Sequence, residues 1–344
     1  VVRNSGEHEV LLALSGLFPD TIEPLRAAFD DLLPQENIRV WLAPGHVKAE
    51  RPDNDARRQT AELIREAFLA SLQPDVIHIT SLFEGYVDDA VTSIGRFDRT
   101  TPVSVSLYDL IPMLNPDQYL TPNPRYATYY ERKIEALRQA KLLLAISDYS
   151  RTEGLLALEC SSDRIVNVST AIDEEFQPKV FTPAESAALL SRIGITRAVV
   201  LYTGGADERN HLSRLIEAWA ALPTTLRQAH QLVFVGRIPE SDIAEFRRIS
   251  HTHGLQADEL LFSRYINDEQ LVQLYNLCKL CVFPSWHEGF ALSVLEAMAC
   301  GAPVIGANIS SLPEVIGMEE SLCDFSNVAA MVKKMAEALQ DESF

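Results

Sequence analysis

The stretch from residue 280 to residue 305 constrains the fold more than any other part of the chain. The apolar run at 280–283 is typical of a strand buried on both faces of a parallel sheet, and an apolar helix at 291–299 ends before Gly301 and Pro303. Such a strand–loop–helix–strand unit places the loop and the helix N-terminus at the carboxyl edge of the sheet. Backbone N–H groups at that edge favour an anionic ligand such as a phosphate.

Two carboxylates in this unit are candidate ligand-binding groups. Glu288 projects from the loop, and Glu296 follows about two helical turns later on a similar face. Both are therefore predicted to reach one ligand, one as an acceptor for sugar hydroxyls near a phosphate and the other as an acceptor for a ribose. The alternative is that Glu288 belongs to a helix cap and that Glu296 is a solvated side chain.

The rest of the chain repeats the alternation of strand and helix, which predicts an α/β fold with parallel sheets and helices on both faces. A Pro-bearing connector at 176–183 separates two such series, and we place the domain boundary after residue 178. Strands are predicted at 9–14, 38–42, 75–80, 103–108, 141–146, 164–169, 199–203, 231–236, 259–263, 279–283 and 303–306. Helices are predicted at 21–33, 57–72, 124–139, 148–158 (with Ser147 as its N-cap), 210–221, 241–253, 268–277, 291–299 and 326–340.

The segment 287–305 resembles the Glu-(seven residues)-Glu signature of retaining GT-B glycosyltransferases, a family that uses nucleotide-sugar donors. The likeness includes Gly289, Phe290 and the Glu-Ala-Met-Ala-Cys-Gly-Ala-Pro-Val sequence that begins at Glu296. It continues into the Ser-Leu-Pro-Glu-Val sequence at 311–315. The chain is therefore identified as similar to this family over most of its length.

The resemblance implies a GT-B fold, in which two Rossmann-like doubly wound domains face a central crevice. Residues 1–178 form the acceptor-side domain in this interpretation, and residues 179–344 bind the nucleotide sugar. The family usually begins with an earlier strand and a glycine-rich loop, whereas this chain starts close to the predicted strand at 9–14. We therefore expect the sequence to be a piece of a longer protein.

The resemblance also assigns a donor pocket to the second domain. Gly204 and Gly205, after the strand at 199–203, allow the backbone to approach a diphosphate. Where the family usually has a Lys that neutralises the diphosphate, this chain has the uncharged Asn210, so Arg209 and Arg237 are the candidate cations. Arg237 is alternatively a solvated loop residue. The other donor contacts that the resemblance implies are Glu288 at a hydroxyl of the transferred sugar, Glu296 at the ribose, Tyr265 and Ile266 at the base, and the N–H groups of Gly289 and Phe290 at the phosphate or sugar.

The resemblance implies acceptor contacts in the first domain. Tyr108 occupies the position at which the family often has a His near the anomeric carbon, and it joins Glu288 and Arg209 as a candidate catalytic residue. A phenol excludes any role that needs an imidazole, but it can still bond to the sugar or the acceptor. The alternative is a Tyr packed at a domain interface. Asp109, Ser81 and Glu84 follow predicted strands and are candidate acceptor contacts.

Charge and composition exclude several classes of partner. The formal net charge of −18 argues against nucleic acid and against an anionic membrane surface. No run approaches the roughly 18 apolar residues that span a bilayer, and no secretory signal is recognisable, so we expect a cytoplasmic protein. Association with the inner face of the membrane stays open. We expect no cofactor and no metal, because Asp53 and Asp55 precede a helix as a capped loop and His251 and His253 lie at a polar helix end.

The activity expected from the resemblance is the transfer of a hexose from a nucleoside-diphosphate sugar to a growing glycan, in polysaccharide or lipopolysaccharide synthesis. The segments 109–112 and 147–151 are similar to those of bacterial polysaccharide enzymes, which are often mannosyltransferases, and this favours GDP-mannose as the donor. A UDP-sugar donor is the alternative within the same fold. A nucleotide-sugar-binding module without turnover is a further alternative, favoured by Asn210 and Tyr108. The sequence determines neither the acceptor nor the oligomeric state.

Overall fold

The computed structural model describes residues 2–263 and 266–341, which divide into two compact units. The first unit comprises residues 2–146 and 151–168, and the second comprises residues 147–150 and 169–341. The connector at 176–183 lies within the second unit rather than at its start. This is because Phe176 packs against the core of that unit and the backbone N–H of Lys179 donates to Asn276 Oδ1 at 2.7 Å.

The chain between residues 2 and 168 alternates strands and helices. Its strands are β1 (Leu12–Ser15), β2 (Ile38–Trp41), β3 (Ile77–Ile79), β4 (Val103–Leu107), β5 (Leu142–Ala145) and β6 (Ile165–Asn167). Its helices are α1 (Pro19–Ala28), α2 (Asp55–Ser71), α3 (Ile111–Leu114), α4 (Pro116–Tyr119), α5 (Pro124–Gln139) and α6 (Asp148–Leu158).

These strands form two separate sheets. β1 pairs in parallel with β2, and β3, β4, β5 and β6 form a second parallel sheet in that order. Val105, Leu107 and Leu143 of the second sheet are at most 1% exposed and form a core with α5. Helices connect β4 to β5 and β5 to β6, whereas the segment 80–102 between β3 and β4 contains no helix.

The chain between residues 169 and 341 continues the alternation. Its strands are β7 (Ala198–Thr203), β8 (His230–Val235), β9 (Leu260–Phe262), β10 (Leu280–Phe283), β11 (Val304–Ala307) and β12 (Leu322–Cys323). Its helices are α7 (Pro183–Ile193), α8 (Leu212–Ala221), α9 (Thr224–Ala229), α10 (Glu240–Thr252), α11 (Asp268–Leu277), α12 (Leu292–Ala299), α13 (Leu312–Ile316) and α14 (Val328–Gln340).

The second unit is built on one six-stranded parallel sheet in the order β12-β11-β10-β7-β8-β9. This is the strand order of a doubly wound fold, with the reversal between β7 and β10. All four residues of β10 and of β11 are buried, as the continuous apolar run at 280–283 predicts for a strand covered on both faces. The predicted α/β class with parallel sheets is confirmed.

The sequence predictions miss several elements, among them the 11-residue helix α7 and the two-residue strand β12. The Thr-Pro-Ala-Glu sequence at the start of α7 forms a capping box, in which Glu185 N donates to Thr182 Oγ1 at 3.3 Å and Thr182 N donates to Glu185 Oε2 at 2.7 Å. The sequence carries this signal, and because proline suits the first helical position, Pro183 begins a helix. The predicted N-cap of α6 is confirmed, since Ser150 N donates to Ser147 Oγ at 2.8 Å.

Two glycines bring the loops after β7 and β8 into backbone contact. Gly204 has φ +147° and Gly236 has φ +152°, and Gly204 N donates to Val235 O at 3.0 Å. A Cβ on Gly236 would lie 2.0 Å from the carbonyl oxygen of Gly204, and a Cβ on Gly204 would lie 2.6 Å from the hydroxyl of Tyr202. Glycine is therefore required at both positions for the two loops to leave neighbouring strands so close together.

Replacing Gly236 with Ala is expected to lower the free energy of unfolding by at least about 2 kcal/mol, because the new Cβ overlaps a backbone carbonyl and the φ angle is unfavourable. Urea denaturation followed by tryptophan fluorescence measures the change. Gly205→Ala is the matched control, since a Cβ there meets no atom within 4 Å. The control is expected to shift stability by less than about 0.5 kcal/mol. Equal losses in the two variants would contradict this account.

Candidate functional site

The reversal of strand order marks the candidate site in the second unit. β7 pairs with β8 on one side and with β10 on the other, and the connections that leave β7 and β10 start at the same carboxyl edge. In doubly wound sheets, ligands bind in the crevice outside the carboxyl ends of the strands at this switch point. The loop 204–211 and the loop 284–291 are therefore the two loops that form the candidate site.

The loop after β7 is held by polar contacts with its own backbone. The hydroxyl of Tyr202 donates to the carbonyl of Gly205 at 2.7 Å, and Asp207 Oδ1 caps a short 3-10 turn by accepting from Arg209 N at 3.0 Å. The turn ends at His211, which has a left-handed φ of +50° before α8 begins. Gly204 and Gly205 are thus fixed at the carboxyl end of β7.

Asn210 links the two loops. Its side chain is buried, with 4% of the residue exposed, and its Nδ2 donates to Gly205 O at 2.9 Å while its Oδ1 accepts from Ser285 Oγ at 3.2 Å. A backbone hydrogen bond from Trp286 N to Arg209 O, at 2.9 Å, makes a second link beside it. The residue at the position of the family's usual Lys therefore bonds to protein groups on both sides.

Arg209 and Glu288 both lie near the phenol of Tyr202 in this site. Arg209 Nη1 is 3.2 Å from Asp207 Oδ2, and the Arg209 side chain is 28% exposed. Burial and then the Glu288 carboxylate raise the pKa of Tyr202 well above its usual range, whereas the Arg209 guanidinium lowers that pKa. Both charged groups therefore act on the same phenol at the end of β7.

Arg237 is exposed in the loop after β8, the strand next to β7.

The backbone around Glu288 is held by serine hydroxyls. Glu288 N donates to Ser310 Oγ at 3.2 Å, and its carbonyl accepts from Ser311 Oγ at 3.0 Å. The next carbonyl, that of Gly289, accepts from Ser147 Oγ at 2.6 Å and from Ser150 Oγ at 2.9 Å. The peptide groups on both sides of Glu288 are thus fixed just before α12 begins.

The segment between Gly289 and α12 completes this loop. Phe290 is buried, and Ala291 takes a left-handed φ of +73° immediately before the first residue of α12. This change of backbone direction turns the chain from the loop into the helix.

The Ser-Leu-Pro-Glu-Val sequence at 311–315 also has a defined role in this packing. Glu314 accepts hydrogen bonds from the backbone N–H groups of Asp148 and Tyr149, at 2.9 and 3.2 Å. A carboxylate at a helix N-terminus satisfies donors that have no partner within the helix. Glu314 therefore stabilises the first turn of α6, the turn that also supplies Ser150.

Glu296 lies on α12 and is joined to β7 through Tyr275 of α11. The hydroxyl of Tyr275 donates to Glu296 Oε2 at 3.2 Å and lies 2.9 Å from Thr203 Oγ1 at the end of β7. Burial raises the pKa of Glu296, Tyr275 lowers it, and Asp268 and Glu175 raise it further. Sequence reasoning missed Tyr275 and Thr203, because nothing in the local sequence indicates that α11 packs against both elements.

Of the two residues that the resemblance assigns to the nucleotide base, the structure describes only Ile266. Tyr265 lies outside the described residues. Ile266 follows β9 and is a partly buried side chain packed against the core of the second unit.

The candidate acceptor residues lie together at one edge of the sheet in the first unit. Ser81 and Glu84 follow β3, and Tyr108 and Asp109 follow its parallel neighbour β4. Ser81 Oγ donates to Glu84 Oε1 at 2.7 Å, and Asp109 Oδ1 accepts from Ile111 N at 3.0 Å. Tyr108 is 50% exposed.

A group of tyrosines lies close to these acceptor candidates and was not predicted. Tyr86, Tyr126 and Tyr129 have ring centroids 5.0 to 5.9 Å apart, and the hydroxyl of Tyr129 donates to the Glu84 carbonyl at 2.7 Å. Burial, and then the Asp109 carboxylate, raise the pKa of Tyr126. These aromatic side chains therefore support the loop that carries Glu84.

Comparison with known proteins identifies the family that the second unit matches. Residues 190–344 match the family described as Glycosyl transferases group 1. Serotype-specific mannosyltransferase WbdA of Escherichia coli is 33% identical over 100% of this chain and 42% of its own length. O-antigen chain mannosyltransferase B of Escherichia coli is 33% identical over 63% of this chain and 56% of its own. The chain thus spans less than half the length of WbdA.

Solved structures of low sequence identity show the same fold. WaaG, a glycosyltransferase involved in lipopolysaccharide biosynthesis, has a TM-score of 0.67 at 16% identity, covering 98% of this chain and 90% of its own. Anabaena Alr3699/HepE in complex with UDP and glucose has a TM-score of 0.64 at 19% identity, covering 97% and 90%. The predicted GT-B fold is therefore confirmed.

The six-stranded parallel sheet, with its reversal of strand order between β7 and β10, defines a doubly wound, Rossmann-like α/β domain. The match over residues 190–344 places that domain in the glycosyl transferases group 1 family.

Within 2–263 and 266–341, no group of three or more His, Cys, Asp or Glu side chains is arranged to hold a metal ion. Over the same residues, no helix combines the length and the apolar character needed to cross a bilayer.

Asn210→Lys is expected to lower the free energy of unfolding by about 1–3 kcal/mol, because a buried site bonded on both sides must take an ammonium group and Ser285 loses its acceptor. Urea denaturation measures the change. Asn308→Lys at an exposed position is the control, with an expected change below about 0.5 kcal/mol. If Asn210→Lys instead leaves stability unchanged and tightens diphosphate binding, position 210 faces the ligand and this account is wrong.

Glu296→Gln is expected to stabilise the fold at neutral pH. The pKa of Glu296 is raised in the folded state, so folding disfavours the charged form of this side chain. The carboxylate therefore destabilises the fold above its folded-state pKa, and it has no such effect when it is protonated in both the folded and the unfolded state. The Gln side chain stays neutral and can still accept from Tyr275. Thermal unfolding should show a higher midpoint for the variant at pH 7.5, and a difference that disappears as the pH falls below about 4, where the carboxyl group is protonated in both states.

The control for this prediction is Glu269→Gln, at an exposed position in the first turn of α11. A Glu296→Gln variant less stable than the parent protein at both pH values would show that the carboxylate stabilises the fold.

Proposed function

We propose that this chain is a retaining glycosyltransferase that moves mannose from GDP-mannose to a glycan acceptor in polysaccharide or lipopolysaccharide synthesis. Its match to the glycosyl transferases group 1 family supports the transfer of a sugar. The names of the two Escherichia coli relatives, both mannosyltransferases, support mannose as that sugar. The proposal concerns this chain only, since WbdA is more than twice as long.

The observation that carries the proposal is the meeting of Glu288, Arg209, Glu296 and the Gly204–Gly205 loop at the carboxyl edge of one sheet. The backbone hydrogen bond from Trp286 N to Arg209 O joins the loop of Glu288 to the loop of Arg209, and Glu296 is bonded through Tyr275 to the strand that precedes the glycines. A diphosphate at the glycine loop would have a sugar acceptor on one side, in Glu288, and a ribose acceptor on the other, in Glu296. Gly289 and Phe290 would contribute backbone N–H groups between them.

The chemistry requires a group that stabilises the departing diphosphate. In the proposed reaction, the bond between the anomeric carbon and the phosphate oxygen breaks, and the acceptor oxygen bonds to that carbon on the same face. The acceptor proton passes to the leaving phosphate, so no side-chain nucleophile is needed. Because Asn210 is uncharged and bonds to protein groups, we assign the stabilising positive charge to Arg209 and Arg237.

The acceptor side of the proposal rests on the first unit. Ser81, Glu84, Tyr108 and Asp109 lie at one edge of its parallel sheet and offer hydroxyl and carboxylate groups that suit sugar hydroxyls. The expected partners are a nucleotide sugar and a glycan or lipid-linked glycan. The expected location is the cytoplasm, at or near the inner face of the membrane.

A second candidate function is a nucleotide-sugar-binding module without turnover. The observation that favours it is the burial of Asn210 between Gly205 and Ser285, since a family site would normally place a Lys there to meet the diphosphate. This alternative predicts nucleotide binding without transfer.

Calorimetric titration of the full chain with GDP, UDP, GDP-mannose and UDP-glucose tests the proposal. We expect GDP and GDP-mannose to bind, and Glu296→Ala to weaken both roughly 10-fold, as the loss of hydrogen bonds from a charged acceptor predicts. Glu269→Ala, at an exposed position on α11, is the control and should bind as the parent protein does. Transfer is then measured with GDP-mannose and a mannose-terminated oligosaccharide, and the anomeric configuration of the product is read by NMR.

Each outcome of this experiment selects one interpretation. Transfer with the donor's anomeric configuration supports the proposal, and an inverted product contradicts retention. Binding of the uridine nucleotides alone replaces GDP-mannose with a UDP-sugar. Tight binding of GDP-mannose without transfer supports the binding module. Absence of binding by all four rejects the donor pocket as described.

A further inference from the structure

Tyr275 belongs to neither of the two loops that form the site, yet it contacts the ribose-side carboxylate. It lies near the end of α11, is 0% exposed, and has its hydroxyl between Glu296 Oε2 at 3.2 Å and Thr203 Oγ1 at 2.9 Å. A buried tyrosine hydroxyl requires hydrogen-bond partners, and here both partners lie on other elements of the fold. The hydrogen bonds thus connect α12, α11 and β7.

The direction of these hydrogen bonds follows from the chemistry of the three groups. An ionised carboxylate only accepts, so the Tyr275 proton points to Glu296. The Tyr275 oxygen must then accept the proton of Thr203, whose hydroxyl is the donor of the pair. Since Thr203 is the last residue of β7 and precedes Gly204, the orientation of Glu296 is coupled to the strand that carries the glycine loop.

The contact also limits the conformations of a flexible side chain. A glutamate on a helix surface populates several rotamers, and ordering it upon ligand binding has an entropic penalty. A bond from Tyr275 to one carboxylate oxygen orders Glu296 before a ligand arrives and leaves the other oxygen for the ligand. The aromatic ring of Tyr275 is in turn packed near Phe176, with centroids 6.3 Å apart.

We propose that Tyr275 is a positioning residue that holds Glu296 oriented for a ribose diol, so that the pocket selects ribonucleotides over deoxyribonucleotides. The inference rests on the proposed function, because it takes the nucleotide of the donor to lie at Glu296. It goes beyond that function because it assigns the pocket's selectivity for ribose over deoxyribose to Tyr275, a buried residue of α11 that contacts Thr203 and Glu296.

The test compares GDP with 2′,3′-dideoxy-GDP, by calorimetry, on the parent protein and on Tyr275→Phe. The dideoxy nucleotide has no ribose hydroxyls that could donate to Glu296. Its affinity therefore measures the contribution of all the other contacts in the pocket. Tyr275→Phe is expected to weaken GDP binding roughly 3- to 10-fold and to change dideoxy-GDP binding by less than about 2-fold. If the parent protein binds UDP instead, the corresponding uridine pair is used.

Two further variants separate positioning from a general structural role. In the Glu296→Ala background, Tyr275→Phe should add no further loss, because the residue acts through Glu296. Tyr202→Phe, the matched control, removes another buried hydroxyl from a residue of β7 and should leave the ratio of the two affinities unchanged. If Tyr275→Phe does not fold, Thr203→Val is used, with an expected loss of about 2- to 3-fold for GDP alone.

The outcomes distinguish this inference from the proposed function. Equal weakening of GDP and dideoxy-GDP by Tyr275→Phe, or an additive loss in the double variant, would overturn the positioning role while leaving the donor site intact. A parent protein that binds neither GDP nor UDP would reject the proposed function, and this inference with it.

Discussion

The reversal of strand order between β7 and β10 is the constraint on which the candidate site depends. In doubly wound sheets the helices that follow two such strands pack on opposite faces, and ligands bind at the carboxyl edge where the two loops leave the sheet. Gly204 and Gly236 then let the loops after β7 and β8 meet backbone to backbone, with no Cβ between them. The position of the glycine loop follows from this packing of main-chain atoms.

Hydrogen bonds to main-chain carbonyls hold the two loops that carry the candidate site residues. Serine hydroxyls fix the carbonyls of Glu288 and Gly289, and the Asn210 side chain joins the two loops that leave β7 and β10. A site ordered in this way loses little conformational entropy when a ligand binds. The same arrangement accounts for Asn210 at the position where the family usually has a Lys. Asn210 connects the two loops, and the positive charge is proposed to come from Arg209 and Arg237.

Strands and long helices were predictable because each carries a complete local signal. The buried strand β10 is a continuous apolar run, and α5 and α11 have the bounds that their sequences predict. Two missed elements lack such a signal: β12 has only two residues, and α7 begins with a proline, a residue that is also common in connectors. The division of the first unit into two sheets also went unpredicted, because strand pairing depends on contacts between distant residues.

The sequence by itself determined the class of fold and the family signature, because apolar periodicity and the spacing of Glu288 and Glu296 are properties of contiguous residues. Only the tertiary structure decided what those residues touch. That Asn210 is buried between two loops, that Glu314 caps the first turn of α6, and that Tyr275 joins Glu296 to Thr203 are contacts between separate segments. Such contacts depend on how helices pack against the sheet, and no local pattern of side chains specifies that packing.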